Sequence, residues 1–156
     1  MTTIVQGWTK LLTGKIVFVG IGNPLRGDDA FGLRLIERIQ GKVRAVCIEA
    51  GTAPESYTGK IVKEKPDTIV LVDAVHLNKP PGEYALLEKA EILKTGFTTH
   101  DLSPDLMIEY LEGRTRADIY LLGVQPQTLA MGAEMSEPVK KSLDKLAATL
   151  ELALRA

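Results

Sequence analysis

The feature that most constrains the fold of this chain is a set of short segments too continuously apolar to have a wet face. KIVFVG (15–20), TIVLVD (68–73) and DIYLLG (118–123) are near-unbroken runs of Val, Ile and Leu, joined by the more mixed RAVCIE (44–49) and EYALLE (83–88). A strand with one solvated face alternates polar and apolar residues. A strand that does not alternate lies inside a layer covered on both sides, as in a parallel sheet. Helical periodicity fills the intervals. Leu35, Ile36 and Ile39 recur at helical spacing between Asp29 and Gln40, with Gly41 as a stop. Pro54-Glu55 opens a helix in part of 54–64, which ends before Pro66. Ser103-Pro104-Asp105 opens another over roughly 103–112, with Gly113 at its end. Ser136 caps a last helix reaching about Leu154, whose stripe is Val139, Leu143, Leu146, Ala147 and Leu150.

Alternating strands and helices predict a single α/β domain over 1–156: three layers, α/β/α, around a mixed, mostly parallel five-stranded sheet. EYALLE follows its predecessor after only the loop NKPPG and is the expected antiparallel member. Residues 1–14 form an N-terminal extension in which Trp8, Leu11 and Leu12 can make a short packing helix.

Charge then narrows the partners. Nineteen basic residues face twenty acidic ones, so nothing recommends nucleic acid or an anionic membrane. No apolar run approaches the ~20 residues needed to cross a bilayer, and no signal peptide is read at the start. The only cysteine, Cys47, lies in a strand and reads as a small buried thiol in a reducing cytoplasm.

The loop after the first strand, GIGNPLRGDD (20–29), begins like a dinucleotide-binding turn and ends in two acids. Three features oppose a phosphate ligand. Leu25 replaces the third glycine, Pro24 has no N–H, and Asp28 and Asp29 put negative charge where the helix should offer positive potential. A like-charge contact at ~4 Å costs about 1 kcal/mol in water and several times that when partly buried. A cation reverses the argument. Asp29, Asp73 at the end of TIVLVD and His100 in TGFTTHD can supply two carboxylates and an imidazole from three loops at the carboxyl edge of the sheet. Taken singly, each has an ordinary alternative: helix cap, strand end, surface histidine. Spacing alone leaves metal binding and a nucleotide-binding protein both open.

Five blocks, GNPLRGDDAFG, EAGTAPE, VLVDAVHLNKPPGE, TTHDLSPDLMIEYL and LLGVQPQTLAMGAEMSEPV, resemble in order and spacing those of the hydrogenase maturation endopeptidases. The resemblance spans roughly residues 15–150. It implies a peptidase that removes the C-terminal extension of a nickel-loaded large-subunit precursor of a nickel–iron hydrogenase. It also implies that the nickel arrives with the substrate, that no cofactor is tightly bound, and that the free protein is a monomer. By resemblance, Asp29, Asp73 and His100 meet the nickel and are the candidates for catalysis, while Gly51, Thr52 and Ala53 border the substrate. Asp28 is left to cap the helix or brace the turn, which makes Asp28→Asn the milder of the two adjacent replacements. Glu49-Ala50 departs from the family's usual Asp-Gly, and His76 takes no role. No activated nucleophile is evident. The acids and His100 can orient a water, or the substrate's metal can polarise one. A binding module that recognises nickel without cutting remains the alternative.

Overall fold

The computed structural model describes residues 3–95 and 104–156. Five strands, β1 (Ile16–Ile21), β2 (Val46–Gly51), β3 (Thr68–Ala74), β4 (Tyr84–Leu87) and β5 (Asp118–Val124), form one sheet in the order β2-β1-β3-β5-β4. All neighbours are parallel except β4, which runs antiparallel to β5 with Tyr84 opposite Val124. The loop NKPPG therefore does not fold β4 back onto β3; β5 inserts between them. The physical reason lies in the side chains. Ile119–Val124 of β5 are all buried and take an interior position, whereas β4 is half-buried and serves as an edge.

Successive residues of the apolar strands face opposite layers. Ile16 and Phe18 of β1, with Val70 and Val72 of β3, pack against α2 (Phe31–Ile39) and α6 (Glu137–Ala153). Val17 and Val19, with Ile69 and Leu71, pack against Ile61 of α3 (Thr58–Lys63), Ile92 of α4 (Lys89–Ile92) and Met107, Ile108 and Leu111 of α5 (Pro104–Arg114). The extension contributes α1 (Thr3–Leu11), whose Trp8 ring meets Tyr84 of β4 edge-on with centroids 6.1 Å apart. Among the described residues no helix is long and apolar enough to cross a membrane.

Two helix boundaries differ from the sequence reading. Asp28 and Asp29 lie in a 3-10 turn, Gly27–Ala30, and α2 begins only at Phe31. α5 runs through Gly113 to Arg114, because the next residue closes it: both the amide and the hydroxyl of Thr115 donate to the Leu111 carbonyl, at 2.9 and 2.7 Å. The short α4 was not read from sequence at all.

The placement of α2 depends on Gly32. A Cβ at this position would collide with the backbone carbonyls of Val72 and Ile21, so the helix lies directly on the ends of β1 and β3. That approach holds the preceding 3-10 turn over the carboxyl edge. Gly32→Ala should therefore lower stability by about 1–3 kcal/mol through overpacking. The corresponding fall in melting temperature is about 2–4 °C per kcal/mol, measurable by thermal unfolding. An unchanged midpoint would mean that the helix can retreat without cost.

Candidate functional site

The chain leaves β1 toward β2 on one side, while β3 lies on the other. Loops after β1 and β3 thus diverge and open a crevice at the carboxyl edge, the usual ligand position in open α/β sheets. Gly20 pairs with Val72, so Asp73 stands beside the chain leaving β1. Asp73 is buried, and its Oδ1 accepts the Ala74 amide at 2.8 Å. Asp29 reaches the same place from the 3-10 turn, half-buried, with Oδ2 accepting the Asn23 amide at 2.9 Å. Burial, and then the nearby Asp29 charge, push the Asp73 carboxyl well above the usual carboxylate range, against the Ala74 hydrogen bond. Among the described residues, no ion pair reaches either acid. Two carboxylates are therefore held together with no basic side chain among the described residues paired to them.

The glycine-rich turn has no amide left for a phosphate. Gly22 donates to the Gly51 carbonyl, Asn23 to Asp29, Leu25 to the Asn23 side chain, and Arg26 to the Asn23 carbonyl. Gly27 donates to Ala133, Asp28 to Thr128 and Asp29 to Arg26, while Pro24 has nothing to donate. Gly22, at φ 139°, lies against the Asp29 backbone, where a Cβ would overlap the carbonyl oxygen. This loop is folded to present a carboxylate, and the dinucleotide reading fails on its amides.

Of the two roles expected of Asp28, the helix cap is not seen, and the bracing of the turn runs through distant partners. Its carboxylate is fully buried and makes no cap to its own helix. Oδ2 accepts the amides of Gln127 and Thr128 at 2.7 and 3.1 Å, and Oδ1 accepts the Ser136 amide at 2.7 Å. The Ser136 hydroxyl donates to the same carboxylate, at 2.9 Å to Oδ2. Asp28 thus ties the loop after β1 to the β5–α6 loop and places its charge at the N-terminus of α6, where the helix dipole favours it. The sequence marked Ser136 as a cap, but its partner lies 108 residues away.

Gly51 ends β2, and Thr52 and Ala53 follow it at the carboxyl edge of the sheet. The register shifts by one residue there, pairing Gly20 with Glu49 but Ile21 with Gly51, and this bulge brings the Gly51 carbonyl onto Gly22. Thr52 is exposed, as is Glu49. Cys47 is half-buried rather than buried, and desolvation pushes its thiol up to about 11, so it keeps its proton at neutral pH. Sequence reading missed Gln125, a buried residue at the end of β5. Its side-chain oxygen accepts the Leu77 amide at 2.6 Å, and its nitrogen lies 3.3 Å from the exposed His76 ring, so it orders the loop after Asp73. His100 lies outside the described residues, and among those described no three metal-binding side chains cluster. The structure therefore brings together two of the three expected ligands. A cavity of about 490 Å³ lined by Val62, Lys65, Asp67 and Arg114 opens at the other end of the sheet, away from the acid pair.

Residues 33–153 match the family model described as hydrogenase maturation protease. The chain is similar to the Hydrogenase 3 maturation protease of Escherichia coli, 28% identical over 138 residues that cover 86% of this chain and 88% of the relative. Among solved structures it resembles the nickel–iron hydrogenase maturation protease HycI from Thermococcus kodakarensis, at TM-score 0.85 and 35% identity, covering 95% and 98% of the two chains. The solution structure of the endopeptidase HycI from Escherichia coli superposes at TM-score 0.79 and 28% identity, covering 88% and 90%.

Two outcomes follow from this geometry. Asp28→Asn places an amide nitrogen against backbone N–H donors and leaves at least one without an acceptor, at a cost of about 1–3 kcal/mol for each. Thermal unfolding should show a clear loss; an unchanged midpoint would contradict the clamp. Asp73 has a native pKa above its unfolded value, so the native state binds the proton more tightly. Its contribution is full below the ordinary carboxylate pKa and is lost as pH rises through the native value. Asp73→Asn should remove this loss and be more stable than the parent at neutral pH. Parallel pH–stability profiles for the two proteins would show that Asp73 is not strained.

Proposed function

The chain belongs to the hydrogenase maturation protease family and is a peptidase, and from that premise we propose that it cuts the C-terminal extension from a nickel-loaded hydrogenase large-subunit precursor. The observation that carries the reading is the Asp29–Asp73 pair: two carboxylates in a crevice, one raised in pKa by its burial and then by the other's charge, with no basic side chain among the described residues paired to either. Such a pair favours any ligand that brings positive charge. Charge of this kind can enter with the substrate and leave with the product, so the free protease needs no resident metal.

In this reading Asp29, Asp73 and His100 receive the precursor's nickel and thereby set the position of the bond to be cut. Gly51, Thr52 and Ala53 border the extended chain. The Cys47 thiol, protonated and set in β2, does not act as nucleophile, and the Ser136 hydroxyl is already given to Asp28. We take the attacking group to be a water, oriented by the acids and His100 or polarised by the substrate's metal. We place the enzyme in the cytoplasm as a monomer until it meets its precursor.

Incubation of the purified protein with nickel-loaded precursor, read by product mass, tests the reading directly. One shortened large subunit and one released peptide are expected, with nickel-free precursor left intact. Asp29→Asn and His100→Ala should each reduce cleavage to background. The melting temperature of Asp29→Asn should stay close to the parent's, because Asp29 is only half-buried. Binding without any mass change would assign the chain a recognition role alone. Full activity of either variant would remove that residue from the site.

A further inference from the structure

Three large apolar side chains stand exposed beside the acid pair: Leu25 at 65%, Leu129 at 43% and Met131 at 64%. A single exposed leucine needs no explanation. These three, however, come from two loops that are fastened to each other. Gly132 donates to the Leu25 carbonyl at 2.7 Å, the Arg26 guanidinium to the Leu129 carbonyl at 3.1 Å, and Gly27 to the Ala133 carbonyl at 3.2 Å. Asp28 closes the junction from beneath through Gln127, Thr128 and Ser136. The side chains therefore form a lip held in place, not ends of mobile loops.

The two segments that carry the lip hold little charge of their own, with Asp28, Asp29 and Glu134 at their ends. Residues 23–27 and 125–133 contain one charged side chain, Arg26, and its guanidinium is turned onto the Leu129 carbonyl. In a chain with 25% charged residues, that composition matches the core of a protein–protein interface rather than ordinary surface. The lip is also joined to the acid pair. The Leu25 amide donates to the Asn23 side chain, and the Asn23 amide donates to Asp29. A ligand that meets Asp29 lies two hydrogen bonds from Leu25.

We propose that Leu25, Leu129 and Met131 form the docking surface for apolar side chains of the large-subunit precursor that adjoin the bond to be cut. This inference rests on the proposed processing function. A polypeptide is the fitting occupant because the surface is open and apolar and continues directly from the acids that receive the nickel. Met131, unbranched and polarizable, can follow an irregular partner surface. The acids supply selectivity for the loaded state, and the lip supplies affinity for the chain.

The test compares the parent with the Leu25→Ser/Met131→Ser double variant, measuring precursor affinity by calorimetry, cleavage kinetics and thermal unfolding. The expected result is a rise in Kd and KM of about tenfold or more, as for loss of apolar anchors. The loss should fall mainly on KM, with the melting temperature unchanged because both side chains are exposed. Unchanged Kd with normal cleavage would overturn the docking surface while leaving the processing function intact. Patch-dependent binding without cleavage by the parent would support the surface and reject proteolysis. No binding by the parent, or a self-associated parent that the double variant converts to monomer, would overturn the inference.

Discussion

The arrangement at the carboxyl edge depends on one buried carboxylate. Asp28 accepts hydrogen bonds from three backbone amides and a hydroxyl, all belonging to the loop between β5 and α6. A buried charge is tolerated only where its oxygens are satisfied, and here the donors include the amide of Ser136, the residue that precedes α6. The geometry therefore fixes two loops at once. If the loop after β1 moved, Gln127, Thr128 and Ser136 would lose their acceptor and the buried Asp28 its donors. Asp29, the next residue, shares this rigidity and closes the turn by accepting the Asn23 amide. Gly22 and Gly32 complete the frame by letting the turn close on Asp29 and α2 press onto the strand ends.

Against that frame, the acid pair is a local conflict. Asp73 is buried close to Asp29, and both effects oppose its ionisation. A site evolved for stability alone would neutralise one carboxylate or supply a basic partner. Retaining both stores unfavourable free energy that a cation, on the proposed function, would relieve. The two adjacent acids in the loop thus divide structure and function. Asp28 is satisfied by the protein and holds the frame, whereas Asp29 accepts, among the described residues, only the Asn23 amide and is the acid that the proposed function gives to a ligand. Under the proposed function this division would make affinity conditional on charge delivered by the substrate, which separates mature from immature precursor.

Much of this was legible in the sequence. Unbroken apolar runs such as TIVLVD announced buried parallel strands, and the position of Asp73 at the end of one placed it at the functional edge. The resemblance to the maturation endopeptidases singled out Asp29. Pairing of β4 with β5 was not legible, because chain proximity favours β3 while apolar burial favours β5, and only the assembled sheet decides between them. The role of Asp28 was hidden for a related reason. An acid at a helix start has a local explanation, capping, that competes with a partner 108 residues away. Gln125 carried no signal beyond its place after a strand, since its function is to satisfy the amide of Leu77 and order a neighbouring loop.

The central claim is that Asp29 and Asp73 together form a receptor for nickel held by the substrate. Its most direct test is nickel-edge X-ray absorption of the loaded precursor, alone and bound to the protein. Complex formation should add oxygen scattering at about 2 Å, a typical distance for carboxylate ligands, and the Asp29→Asn/Asp73→Asn double variant should abolish that change. An identical nickel environment in the free precursor and in a saturated complex would contradict the account.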